Sequence, residues 1–146
     1  VQLHVTNPTL GEGFRFETLA TNDDPNLRIF QGRTTTGNAT PATLSTIAIV
    51  ASNTYLIEAR IAARRTGGIS GTADDGAAYV VRGAYTTKSG TVTLLGSLNA
   101  DFTAEDQAGW DATLVISGTN VIVQVTGAAD NNITWHSTVF VQNVGS

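Results

Sequence analysis

The stretch "TWHSTVFVQNVGS", Thr134 to Ser146, decides how this chain is built. With Ile133 in front of it, Ile133, Trp135, Ser137, Val139 and Val141 fall on one side, and Thr134, His136, Thr138 and Gln142 on the other. A period of two marks a β-strand with one buried face. The same period runs backward through the chain. In "YLIEARIAA" (55–63) Tyr55, Ile57, Ala59, Ile61 and Ala63 share a face, with Glu58 and Arg60 opposite. In "AAYVVRGAY" (77–85) Tyr79, Val81 and Tyr85 point inward. "ATLVIS" (112–117) and "VIVQVTG" (121–127) are apolar enough for central strands, and "GTN", Gly118 to Asn120, is hairpin turn chemistry between them. Roughly seven or eight strands at regular spacing, with no helix beyond a turn at "TAEDQAGW" (103–110), predict an all-β fold: an antiparallel β-sandwich, jelly-roll-like.

The first part of the chain reads differently. Leu3-x-Val5, Phe14-x-Phe16 and Leu27-x-Ile29 are short apolar beats separated by turn material, "TNPTLGEG" (6–13) and "TNDDPN" (21–26). Too few apolar residues are present to enclose a core, so the segment must lie against the rest of its own chain or against copies of itself. "GRTTTGNATPAT" (32–43) then reads as a polar linker. Two units are therefore expected: residues 1–40, a neck or shaft segment, and residues 41–146, a β-sandwich. Sharing one core among three copies is the way such beats become buried, which makes a homotrimer the expected assembly.

Composition narrows the function. The chain has 146 residues, 41% of them hydrophobic, enough for a core without staples. With no cysteine, neither a disulfide framework nor a thiolate metal site is available. No apolar run is long enough to cross a membrane and no basic-then-apolar leader opens the chain, so no membrane insertion is expected. The net charge is −4, all 8 basic residues lie at or before Lys88, and the acids Asp101, Glu105, Asp106, Asp111 and Asp130 follow unaccompanied. A surface of that sign repels phosphates, and nucleic acid is not an expected partner.

Catalysis by a nucleophile and its base draws first on histidine, and only His4 and His136 exist. His136 shares the polar side of its strand with Thr134, Thr138 and Gln142, which reads as a solvated or subunit-contact residue. His4, inside "LHV", reads as structural, with an imidazole metal site on a trimer axis as the sharper alternative. Among the acids, Asp74 and Asp75 sit in "GTADDGAAY" (71–79), and Asp101, Glu105, Asp106 and Asp111 in "NADFTAEDQAGWD" (99–111). Neither stretch has the ligand spacing of a calcium loop, and Asx residues beside glycine favour turns. No catalytic residue, metal ligand or cofactor is assigned from these patterns. The sequons at Asn38 and Asn132 carry meaning only in a host that glycosylates.

The stretches "RRTGGISGTADDGAAYVVRGAY" (64–85) and "EDQAGWDATLVISGTNVIVQVTGAADNNITWHSTVFVQ" (105–142) resemble the C-terminal domains of tailed-bacteriophage tail fibres and related virion proteins, over Thr43 to Ser146. "LHVTNPTLGEGFRFET" (3–18) is similar to the beats of interwoven fibre shafts. The resemblance implies a trimeric virion protein outside the cell, adhering to a bacterial surface polysaccharide or outer-membrane receptor, without enzymatic activity of its own. No receptor residue follows from a motif. Recognition is expected in loops on the rigid scaffold, at "RTGGISGTADDGAA", "TTKSGT", "NADFTAEDQAG" and "GAADNN", with Asp74, Asp75, Lys88, Asp106, Asn131 and Asn132 as candidates. At most about half of such loops can share an end, because hairpin loops joined by one strand lie at opposite ends. Two other classes fit the same composition: a carbohydrate-binding module unrelated to phage, with aromatics at loop tips, and a glycan-depolymerase fragment, with a carboxylate pair in a groove.

Overall fold

A computed structural model describes residues 2–4, 12–17 and 26–145, with side chains from Leu27 to Gly145. The described residues are all β: β1 (Gln2–His4), β2 (Glu12–Glu17), β3 (Asn26–Thr36), β4 (Ala42–Ala48), β5 (Asn53–Gly68), β6 (Gly76–Lys88), β7 (Thr91–Glu105), β8 (Asp111–Ser117), β9 (Asn120–Thr126) and β10 (Asn131–Gly145). They form a seven-stranded sheet in the order β1-β2-β3-β10-β5-β6-β7 and a three-stranded sheet in the order β4-β9-β8. Every pairing is antiparallel. No helix among the described residues is long and apolar enough to cross a membrane.

The small sheet packs on one face of the large one, and the alternation read from the sequence supplies both sides of the core. From the large sheet come Ile133, Trp135, Val139 and Val141 of β10, Tyr55, Ile57, Ala59, Ile61 and Ala63 of β5, and Tyr79, Val81 and Tyr85 of β6, all buried. From the small sheet come Leu44, Ile47, Ala112, Leu114, Val121, Val123 and Val125, also buried. Where β3 crosses β4 the layers nearly touch. Ser45 Oγ lies 2.8 Å from Ser137 Oγ, and a Cβ added at Gly32 would sit 2.2 Å from the Leu44 carbonyl oxygen.

Turn chemistry follows the residues. Ser89 and Gly90 join β6 to β7 with φ of 51° and 79°, the two positive values of a type I′ hairpin whose twist matches its strands. Gly118, at φ 60°, opens the β8–β9 turn.

β10 runs through the middle of the large sheet, paired with β3 over Ile133–Asn143 and with β5 over Asn131–Gly145. Two expectations change. "ATLVIS" is the edge strand of the small sheet, not a central one. The expected linker 32–43 is strand as far as Thr36 and again from Ala42, leaving only 37–41 as connection. The physical reason is that a threonine-rich run is a good strand when one face is covered, and β3 has β10 beside it. Leu27-x-Ile29 thus pairs within its own chain, and a separate neck can only concern residues before β3. β1 and β2 continue the sheet by backbone register, Gln2↔Glu17 to His4↔Arg15 and Glu17↔Asn26 to Glu12↔Phe30. The side chains of the beats Leu3-x-Val5 and Phe14-x-Phe16, and of His4, lie outside the described residues.

Candidate functional site

Strand order decides which loops meet. The connections 37–41, 69–75, 106–110 and 127–130 all lie at the end marked by Gly68 opposite Asn131 and by Ala77 opposite Glu105. The 89–90 turn lies at the other end. The fold therefore brings Asp74, Asp75, Asp106, Asn131 and Asn132 together and leaves Lys88 the full length of β6 away.

Much of the polar chemistry at that loop end binds the loops to one another. Asp75 is buried, and its Oδ2 accepts from Thr72 N at 2.9 Å and from Gln107 Nε2 at 2.8 Å. Asp106 Oδ2 accepts from Gly76 N at 2.8 Å. Arg65 donates to the Ser70 and Gly68 carbonyls, each at 2.8 Å, and the Asp130 carbonyl accepts from Ile69 N and Ser70 N at 2.9 and 3.0 Å. Asn131 is 2% exposed, beneath Gly71, whose φ of 76° and lack of Cβ allow the loop to close over it. Asp74 forms an ion pair with Arg64 while remaining mostly exposed, and Asn132 and Asp106 are exposed as well. Of the candidates read from the sequence, this end offers Asp74, Asp106 and Asn132 to a partner, beside other exposed side chains such as Asn38, Ile69 and Asp130. Asp75 and Asn131 serve the framework. Among the described residues no group of three or more His, Asp or Glu is placed to hold a metal.

The second surface is the uncovered face of the large sheet, which the sequence pattern marks only as polar. A shallow depression of about 640 Å³ crosses it. Its cause is a row in register, Arg33 on β3, His136 on β10, Ala62 on β5 and Ala78 on β6, in which alanines succeed larger side chains. The adjoining row, Gln31, Thr138, Arg60, Val80 and Phe102, forms a taller wall. Arg60 Nε donates to Glu58 Oε1 at 2.8 Å, and its guanidinium lies 4.8 Å from the centre of the Phe140 ring, a cation–π contact. At the β7 edge a second depression shares Ala78 and is lined by Glu105 and Asp106. Glu105 there accepts from Tyr79 Oη at 2.8 Å; burial, and after it this bond, raises the Tyr79 phenol well above its ordinary value.

Aromatic residues are mostly consumed by the core. Trp110 and Trp135 are 2% and 0% exposed and all three tyrosines are buried, so the loop tips carry no stacking ring among the described residues. Phe102, 52% exposed, stands instead on the open sheet face. Sequence reasoning missed this surface because Arg33, Arg60, Phe102 and His136 lie on four strands, and only register brings them into line.

No protein-family model matches the chain, and no curated protein matches it. Solved structures of similar shape include the tailspike protein of Acinetobacter baumannii phage AM24, at 9% identity and a TM-score of 0.48, covering 82% of this chain and 26% of that one. Another is the tailspike protein gp49 of Acinetobacter baumannii bacteriophage Fri1, a capsular polysaccharide depolymerase, at 10% identity and a TM-score of 0.45, covering 86% of this chain and 19% of that one. The chain thus spans about a quarter or less of the length of each. At this distance the likeness carries no chemistry over to this chain. One expectation is corrected: the tail-fibre resemblance implies a domain without enzymatic activity, and a neighbour described as a capsular polysaccharide depolymerase removes that implication.

Proposed function

We propose that this chain is a host-recognition module of a bacteriophage tail protein, trimeric on the virion, which contacts a surface polysaccharide of the bacterium through its four-loop end. The observation that carries it is the polarity of the molecule. β2 pairs with β3 along Asn26–Phe30, in the half of the large sheet remote from the loops, β1 pairs with β2 beyond it, and the four connections converge at the opposite end. A module attached through its first strands would present those loops outward. The tail-fibre resemblance of Thr43 to Ser146 supports the same assignment. The contacts belong to the exposed Asp74 and Asp106, on loops held by Asp75, Arg65 and Gln107, and to Asn132 at the start of β10. Rigid loops lose little entropy on binding, and threefold presentation would make weak single-site affinities useful on a repetitive surface.

The test is retention of the purified protein on pairs of bacterial strains, each encapsulated strain beside its acapsular derivative. Retention is expected on the encapsulated member of at least one pair, reduced by Asn132→Ala and Asp74→Asn and unchanged by Lys88→Ala. Equal retention on acapsular cells, or loss through Lys88→Ala alone, overturns the proposal. Oligosaccharide release followed in the same incubation reports whether the bound polymer is also cleaved.

A further inference from the structure

We propose that the groove on the open face of the large sheet is a second binding site, selective for a carboxylate-bearing polysaccharide and independent of the loop end. Charge is the first argument. The chain carries −4 overall, yet the residues lining this groove include Arg33, Arg60 and His136 and no carboxylate. Among the described residues Arg33 forms no ion pair, and Arg60 pairs only with Glu58, through Nε. Two guanidinium groups with donors to spare, on β3 and β5 to either side of β10, suit a polymer with successive planar carboxylates, each bound through paired hydrogen bonds. Arg60 is also preorganised, since Glu58 and the Phe140 ring already hold its guanidinium plane.

Shape is the second. The depression is shallow and open, with Ala62 and Ala78 in its floor and Val80 and the half-exposed Phe102 in the wall beside them. An exposed aromatic face accepts the C–H face of a sugar ring, while Gln31 and Thr138 offer hydrogen-bond partners to hydroxyl groups. A peptide is less suited. Peptides that add to sheets bind by backbone pairing at an edge, and β3, β10, β5 and β6, which carry most of the groove, are paired on both sides. Recognition here rests on side chains alone, which a polymer with its own carboxylates and hydroxyls can meet.

The probes are oligosaccharides of galacturonate, mannuronate and polysialate, each beside its methyl ester, with binding measured by calorimetry at low salt on the protein in its native assembly. At least one acidic probe should bind in the millimolar range or tighter, with its methyl ester at least tenfold weaker and the affinity falling as salt rises. Arg33→Gln and Arg60→Gln should each weaken binding about tenfold or more, the loss expected for a charge-assisted hydrogen bond. Phe102→Ala should weaken it without altering the preference for acid over ester. Arg64→Gln and Asn132→Ala should leave it unchanged, which separates this site from the loop end, whose readout is retention on cells. Thermal melts of all variants verify folding, since every substituted side chain is exposed. Equal affinity for esters, equal affinity for a glutamate-rich peptide, indifference to both arginine substitutions, or no binding by any acidic probe, as when the assembly itself covers the face, would each overturn the proposal.

Discussion

Trp135 shows how much one residue organises. It is 0% exposed, its ring meets Trp110 at 5.9 Å and Tyr79 at 6.3 Å, and its Nε1 donates to Thr36 Oγ1 at 2.9 Å. That bond ties β10 to the end of β3. Thr36→Val keeps the shape and orphans a buried N–H, so a loss of about 1–3 kcal/mol in denaturant unfolding is expected, against about 3–5 for Trp135→Ala. Equal stability of Thr36→Val and the parent would show that the hydrogen bond contributes nothing. Gly32 is constrained from the opposite direction. Its added Cβ would collide with Leu44 O and Ser45 Oγ, both at 2.2 Å, so Gly32→Ala must push β4 off the large sheet at a cost of about 1–3 kcal/mol. Titration gives a third handle. Burial lifts the Tyr85 phenol from its ordinary value near 10 up to about 12. The folded state therefore favours the neutral phenol, and this contribution is complete below about pH 10 and lost between about pH 10 and about pH 12. Stability should fall across that window, and Tyr85→Phe should flatten the fall.

At the scale of the element, β10 matters most. The alternation of Ile133 to Val141 shows that it is a strand and which face is buried, and both readings hold. Its place between β3 and β5 was not legible, because a strand with one buried face has the same pattern at the edge of a sheet and at its centre. Backbone amides of β10, bonded on both sides, should be the slowest to exchange with deuterium, and those of β7, with one neighbour, among the faster. Protection of β7 equal to that of β10 would mean that a further strand or chain covers its edge. The Thr34–Thr36 run illustrates the opposite case. Polar composition suggested a linker, and cross-strand partners on β10, with Thr35 Oγ1 3.3 Å from Thr134 Oγ1, make it strand.

For the whole molecule, the unequal sheets are the decisive feature. Three strands cover one face of seven, so the outer face of β3, β10, β5 and β6 has no layer over it among the described residues. The trimer proposed for the virion predicts a mass by light scattering of about three times 15.2 kDa. A monomeric mass at micromolar concentration would remove it, leaving the loop end and the sheet face to act singly.

The sequence by itself determined the class of fold, the buried faces of β5, β6 and β10 and the turn at Gly118, because alternation and turn chemistry are local properties of the chain; β7 escaped it, its 99–105 part reading as a loop. The sequence also placed Trp135 in the core. Only the tertiary structure decided that β10 is central, that Asp74, Asp106 and Asn132 share an end from which Lys88 is excluded, and that Arg33, Arg60, His136 and Phe102 stand in adjoining rows. Those relations depend on strand order and register. The pairing energy of one strand is nearly the same against many neighbours, so it is the packing of all ten strands at once that selects the order.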